Sequence, residues 1–82
     1  MRPINYDAPA SLWKDVLGQT SRGLRALYKQ EIVGGTLRYC LAEFDGKPEC
    51  KKGLYSVITD DSANLSKTTL FRSDIEALRR AA

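Results

Sequence analysis

The 82-residue sequence contains no histidine, two cysteines and one tryptophan. Without histidine the chain can form neither a Ser-His-Asp nor a Cys-His catalytic arrangement, and it has no histidine metal ligand. Cys40 and Cys50 lack the second cysteine pair that a structural zinc site needs. The Gly34-Gly35 pair has neither the glycine spacing nor the lysine of a phosphate-binding loop. We therefore expect a protein that is not an enzyme and that uses no cofactor and no metal.

Long apolar runs are also missing. No run approaches the roughly 20 residues that cross a bilayer, and the N-terminal residues show no apolar segment of the secretory type. Two cysteines are too few for a disulfide framework, and a reducing compartment would keep both as thiols. We expect a cytoplasmic protein with no membrane partner. Its 43% hydrophobic and 28% charged residues are typical of one folded domain, spanning residues 1–82.

Residues 12–29 carry the clearest pattern in the chain. At about 100° per residue, the apolar positions fall within one half-turn and the basic ones gather on the other side. The apolar set is Leu12, Val16, Leu17, Leu24, Leu27 and Tyr28, joined by Thr20; the basic set is Lys14, Arg22, Arg25 and Lys29. This pattern predicts an N-terminal helix over residues 10–30. Gly18 and Gly23 disfavour a helix interior, so a helix pair that breaks near Gly18 is the alternative.

The rest of the chain predicts strands and a closing helix. Residues 36–44 and 54–59 are rich in β-formers and predict a hairpin, and residues 69–71 predict a short third strand. Ser73 and Glu76 fit a capping box that starts a helix over residues 74–80. The predicted fold is α+β, with an N-terminal helix or helix pair packed on a two- or three-stranded antiparallel sheet and a short C-terminal helix.

Three side chains outside the basic pattern have structural interpretations. Cys40 is expected to be a strand residue that faces the core, and Trp13 is expected to anchor the core beside the first helix. Tyr39 and Tyr55 are expected to pack against each other across the predicted hairpin.

Two segments carry a resemblance to a known family. Residues 17–29 look like a turn followed by a recognition helix, and residues 71–78 are similar to the closing helix of small excisionase-type regulators related to the MerR group. The predicted order of elements resembles a winged helix-turn-helix. The resemblance implies a recognition helix in the major groove and a hairpin wing on the DNA backbone. It implies DNA contacts from Ser21, Arg22, Arg25 and Lys29 in the helix and from Lys51 and Lys52 in the wing.

The net charge of +3 and the pI of about 9.0 agree with an anionic partner. The first hypothesis is a small DNA-binding transcription regulator of the kind that serves a mobile element or repressor system, with double-stranded DNA as its partner; the phage or mobile-element type of small protein also includes the alternative that follows. The alternative is a protein-binding module or inhibitor that engages an acidic surface of a partner protein. A homodimer formed through the hairpin edge is a third alternative. The candidate binding residues are Lys14, Ser21, Arg22, Arg25, Lys29, Lys47, Lys51 and Lys52.

Overall fold

A computed structural model describes residues 3–19, 22–23 and 25–81 of the chain. These residues form an α+β fold in which the strands come first. The strands are β1 (Pro9–Gln19), β2 (Arg25–Thr36), β3 (Tyr55–Thr59) and β4 (Thr69–Leu70), and the helices are α1 (Leu37–Asp45) and α2 (Arg72–Ala81). Short 3-10 helices span Glu49–Leu54 and Asp61–Ala63.

The four strands form one antiparallel sheet in the order β2-β1-β3-β4. In the centre of the sheet, Leu12 of β1 lies opposite Val33 of β2 and Val57 of β3. β3 pairs only with residues 10–14 of β1, whereas β2 follows β1 along its whole length. Residues 15–19 and 25–29 therefore extend past the sheet as a two-stranded ribbon, which we call the arm. The arm accounts for the elongated dimensions of 49 × 24 × 19 Å.

The two faces of the sheet differ. Leu12, Val57 and Leu70 point to the face that α1 and α2 cover, and with Leu37 and Ile75 they form the buried core. We call this the helix face. Because successive strand residues alternate between faces, Trp13 and Asp15 lie on the opposite side, which we call the open face. Among the described elements, neither helix packs on the open face.

The prediction of an N-terminal helix or helix pair over residues 10–30 is wrong, because the structure has β1, a turn and β2 there. A helical period places Leu12 and Leu17 on one side, but the strand places them on opposite faces. Pairing of β1 with strands on both sides buries Leu12 completely, and this long-range gain is invisible to a local pattern. Gly23 adopts a φ of 78° in the turn, a conformation that suits glycine. This φ is incompatible with the helix pair, in which Gly23 would lie inside the second helix.

The prediction of a strand over residues 36–44 is also wrong, since this segment is α1. Its buried residues Leu37, Cys40, Leu41 and Phe44 follow the i, i+3, i+4, i+7 spacing of a helix face. The hydroxyl of Thr36 accepts a hydrogen bond from the Tyr39 backbone N–H at 3.1 Å and caps the helix. The β-forming side chains in this segment suggested a strand, but the spacing of its apolar positions fits a helix. The predicted hairpin of two strands at 36–44 and 54–59 is therefore absent, and so is the Tyr39–Tyr55 cross-strand pair.

The C-terminal elements lie where the sequence places them. β3 and β4 occupy the predicted positions and raise the sheet to four strands. α2 includes the predicted residues 74–80 but begins at Arg72. The capping box differs from the prediction: Asp74, not Glu76, accepts the N–H of the residue before the helix, Phe71, at 3.0 Å. Glu76 instead accepts a hydrogen bond from the Arg72 guanidinium at 3.0 Å.

Candidate binding surface on the projecting arm

The excess positive charge of the chain lies in and beside the arm. Residues 14–29 contain four basic residues and one acidic residue, which accounts for the whole net charge of +3. The other residues contain nine basic and nine acidic side chains and are neutral in sum. The arm and its turn, residues 15–29, hold two of these three net charges, and a projecting cationic element is the part that an anionic surface meets first.

The arm also exposes large apolar side chains. Leu17 and Leu27 lie directly opposite each other on the open face and are 57% and 75% exposed. On the helix face, Tyr28 is 52% exposed. A scattered exposed leucine is ordinary, but two leucines paired across strands of a projecting ribbon form a contiguous apolar spot. Such a spot beside positive charge is typical of an interaction surface.

The predicted helix would place the basic residues of positions 12–29 on one surface, but in the structure they do not share one surface. Arg22 is exposed in the turn at the tip, and Arg25 begins β2. Lys29 lies at the base of the arm on the open face, where its Nζ is 3.8 Å from the Asp15 carboxylate and 3.4 Å from the Ser56 hydroxyl. Ser21 lies outside the described residues. The cationic end of the arm is therefore its tip, while Lys29 is tied to the sheet.

The remaining candidate lysines lie away from the arm tip. Lys14 and Lys47 flank the Tyr55 ring, with each Nζ 5.8 Å and 5.3 Å from the ring centroid. Lys52 forms a 3.1 Å ion pair with Glu49 in the 3-10 helix, and Lys51 is exposed beside it. The segment predicted as a wing is thus a loop and a 3-10 helix that follow α1. The seven candidate residues that the structure describes form separate groups rather than one interface.

The open face contains a second feature that the sequence interpretation missed. Phe71 is half exposed there, and the Lys29 ammonium lies 5.2 Å from its ring centroid. Trp13 is on the same face, partly buried, rather than in the core below the helices. Its Nε1–H is buried and has no acceptor among the described residues, so packing alone holds the ring. Trp13, Asp15 and Leu17 lie on one face because they are spaced two residues apart, and this spacing is informative only once the segment is known to be a strand.

Shifted pKa values occur in α1, in the 3-10 helix Glu49–Leu54 and in α2. Burial raises the pKa of the Cys40 thiol, and the nearby carboxylates of Glu43 and Glu31 raise it further. The Lys52 hydrogen bond and the Arg72 charge lower the pKa of Glu49. The hydrogen bond from the Phe71 N–H, followed by that from Lys67, lowers the pKa of Asp74. These shifts describe a free buried thiol and structural ion pairs around α2.

A groove of about 340 Å³ lies between α1 and α2. Two arginines line it, and each pairs with a carboxylate: Arg79 with Asp45, and Arg38 with Asp7 at 3.6 Å. Their charges are therefore largely compensated. Among the described residues, no group of three histidine, cysteine or acidic side chains is placed to hold a metal ion. No helix in the described ranges has the length and apolar character needed to cross a membrane.

Comparisons with protein-family models, with curated proteins and with solved structures gave no match to this chain. The segment in which the winged-helix resemblance places a recognition helix spans the end of β1, the turn and the start of β2. Because no comparison suggests a function, the function is inferred from the charge and the exposed apolar side chains of the arm.

Proposed function

We propose that the chain is a non-catalytic binding protein whose arm engages an acidic surface of a partner protein. The observation that carries the proposal is the exposed Leu17–Leu27 pair on a projecting ribbon that, with its turn, holds two of the three net positive charges of the molecule. Covering these two side chains removes apolar surface from water, which supplies affinity. The surrounding charge guides the encounter and selects an acidic partner.

The composition of the arm favours protein over nucleic acid. Protein interfaces combine a central apolar or aromatic patch with arginine, whereas protein–DNA interfaces are more polar and much more positive. Leu17 and Leu27, side by side on the open face, provide the first kind of surface. We also place the protein in the cytoplasm on the strength of its two free cysteines, Cys40 and Cys50.

Duplex DNA is the second candidate, and one observation favours it. A two-stranded β-ribbon fits the major groove, and this ribbon with its turn carries two of the three excess positive charges, with Arg22 exposed at the turn. In that case phosphate neutralisation would supply most of the affinity, and binding would fall steeply with added salt. A DNA-binding regulator of this kind would use the arm rather than a recognition helix.

A paired set of variants separates the two functions. Leu17→Ser with Leu27→Ser removes the apolar pair, and Leu54→Ser is the matched control because Leu54 is an exposed apolar residue in the 3-10 helix. The wild type and the control should capture one stoichiometric protein from a nuclease-treated lysate of the source organism. With that protein purified, the double variant should bind about 30-fold more weakly by calorimetry, the loss expected for a binding hot spot.

The same variants decide the alternative. Each protein is titrated against duplex DNA at about 50 mM and about 200 mM salt, the range over which phosphate contacts lose most affinity. Binding to DNA that falls with salt, that Arg22→Glu weakens and that the serine substitutions leave unchanged would reject the protein-binding proposal in favour of DNA. Equal capture by the double variant and the Leu54→Ser control would reject it as well.

A further inference from the structure

β2 forms one edge of the sheet. It pairs with β1 on one side, and within the described ranges no strand pairs with its other side. The strand is 12 residues long and contains no proline. A shift of pairing between Leu12 and Trp13 places a bulge at Ile32, and residues 25–31 run on without interruption. An edge of this length presents unpaired N–H and C=O groups to any strand that can approach it.

Two opposite charges lie close to the centre of this edge. Lys29 and Glu31 are on the same face, because they lie opposite Asp15 and Trp13 of β1. Glu31 is exposed and forms no ion pair with any described residue. Lys29, which lies on the other side of Gln30, is also exposed. Its 3.8 Å contact with Asp15 is a surface ion pair, which contributes little stability and can be exchanged for a contact with another carboxylate. The charges are arranged symmetrically about Gln30 with opposite sign.

This arrangement restricts how two copies of β2 can pair. Two copies of β2 can pair antiparallel about a twofold axis that is normal to the sheet. Residues that lie directly opposite each other then have their side chains on the same face, so their numbers differ by an even number. The axis therefore passes beside the residue midway between them, and that residue lies opposite its own copy. An axis at Lys29 or at Glu31 places that charge against its own copy, which is unfavourable. An axis at Gln30 places Lys29 against the partner's Glu31, and symmetry repeats the pair. Of these three registers only the axis at Gln30 pairs both charges. An axis at Tyr28 would place Glu31 against the partner's Arg25 but would leave Lys29 against Leu27.

We propose that a second copy of this chain covers the β2 edge, in antiparallel register with the twofold axis at Gln30. Main-chain hydrogen bonds join the two sheets, and two Lys29–Glu31 contacts fix the register. Both open faces lie on the same side of the joined sheet, and the arms point in opposite directions. The edge pairing leaves Leu17 and Leu27 on the open face, so dimerisation and partner binding use different surfaces.

Charge reversal and charge exchange test the register. Sedimentation velocity at low to high micromolar concentration should show a dimer for the wild type. Glu31→Lys should dissociate it at least about tenfold more readily, because both cross-strand contacts become repulsive. The exchange Lys29→Glu with Glu31→Lys should restore the dimer when it is combined with Asp15→Asn, because Asp15 lies directly opposite position 29 and would repel the new carboxylate. Lys51→Glu, a charge reversal at an exposed position outside the sheet, should leave it intact.

Controls keep the result independent of folding and of the proposed function. Circular dichroism and urea unfolding confirm that each variant is folded; Glu31→Lys is the primary variant because Glu31 has no ion pair with the described residues to lose. Leu17→Ser with Leu27→Ser should remain dimeric even though it loses the partner. A wild-type monomer throughout the concentration range, a Glu31→Lys dimer of unchanged affinity, or an exchange variant that stays monomeric would each overturn the proposal.

Discussion

The ring of Tyr28 lies against the backbone of Gly18 across the arm. A Cβ at position 18 would overlap the Cε1 atom of that ring, so the side chain occupies the space that glycine leaves. Glycine inside a strand weakens it, and a cross-strand aromatic ring that covers the glycine compensates for the missing side chain. The contact lies on the helix face of the arm, while Leu17 and Leu27 form the pair on the open face.

Removal of the Tyr28 ring should destabilise the arm. We expect Tyr28→Ala to lower the free energy of unfolding by about 0.5–1 kcal/mol, the usual contribution of a cross-strand aromatic contact. Tyr28→Phe keeps the ring and should stay close to wild type in urea unfolding. The Gly18 amide resonance should shift in the alanine variant and much less in the phenylalanine variant. Equal stability of the two variants would show that the ring does not support the strand.

Leu12 should be among the most sensitive core positions. It is fully buried where β2, β1 and β3 meet, opposite Val33 and Val57. Leu12→Ala should cost about 2–5 kcal/mol, a large part of the stability that a domain of this size can have. Leu54→Ala, at an exposed position, should change stability by less than about 0.5 kcal/mol. Urea unfolding followed by circular dichroism measures both, and similar values for the two substitutions would contradict the assignment of the core.

The two thiols should differ in reactivity. Cys40 is buried in α1, and burial together with Glu43 and Glu31 raises its pKa, so little thiolate forms near neutral pH. Cys50 is exposed. A chromogenic disulfide reagent should therefore modify Cys50 rapidly and Cys40 only in denaturant, with Cys50→Ser losing the fast phase. A fast phase that persists in Cys50→Ser would contradict the burial of Cys40.

Asp74 should make stability depend on pH in the acidic range. Its pKa is lower in the folded protein, because its carboxylate accepts hydrogen bonds from the Phe71 N–H at 3.0 Å and Lys67 at 3.2 Å. The unfolded chain therefore binds the proton more readily, and this stabilisation is complete above the ordinary aspartate pKa of about 4. It is lost as pH falls from there through the lower pKa of the folded state.

Thermal unfolding over this pH range checks the role of Asp74. Asp74→Asn should be less stable than wild type at pH 7, and the difference should shrink as pH falls through the window. Ser73→Ala is the matched control, since Ser73 is exposed and Asp74 supplies the capping contact. It should change stability by less than about 0.5 kcal/mol. A larger loss in Ser73→Ala than in Asp74→Asn would support the capping box that the sequence predicted.

The segments that the sequence predicted correctly are those whose signals are local. The helix over residues 74–80 follows from an acidic first turn and a basic last turn, and both signals depend on neighbours in the chain. The strand over residues 55–59 follows from its β-forming side chains. The helix α1 was also legible from Leu37, Cys40, Leu41 and Phe44, but the β-forming residues between them were given more weight than the spacing.

The candidate site could be predicted only in part. Its charge was evident, since the basic residues of positions 14–29 are fixed in the sequence. Their arrangement was not, because a helix would group Arg22 and Lys29, whereas the hairpin places Arg22 in the turn and binds Lys29 to Asp15. Leu17 and Leu27 are exposed in the structure, whereas the sequence predicted that both are buried, because a helical period placed them on the core face.

The sequence by itself determined where the net charge lies, the lack of histidine chemistry and the C-terminal helix, because each depends on residue identity or on neighbours within a turn. Only the tertiary structure decided that residues 9–36 form a hairpin. Leu12 becomes buried when Val33 and Val57, far along the chain, lie opposite it. No local pattern encodes that pairing. Because of it, Leu12 is buried in the core, whereas Leu17 and Leu27, which a helix would place on the same side as Leu12, form an exposed pair on a basic arm.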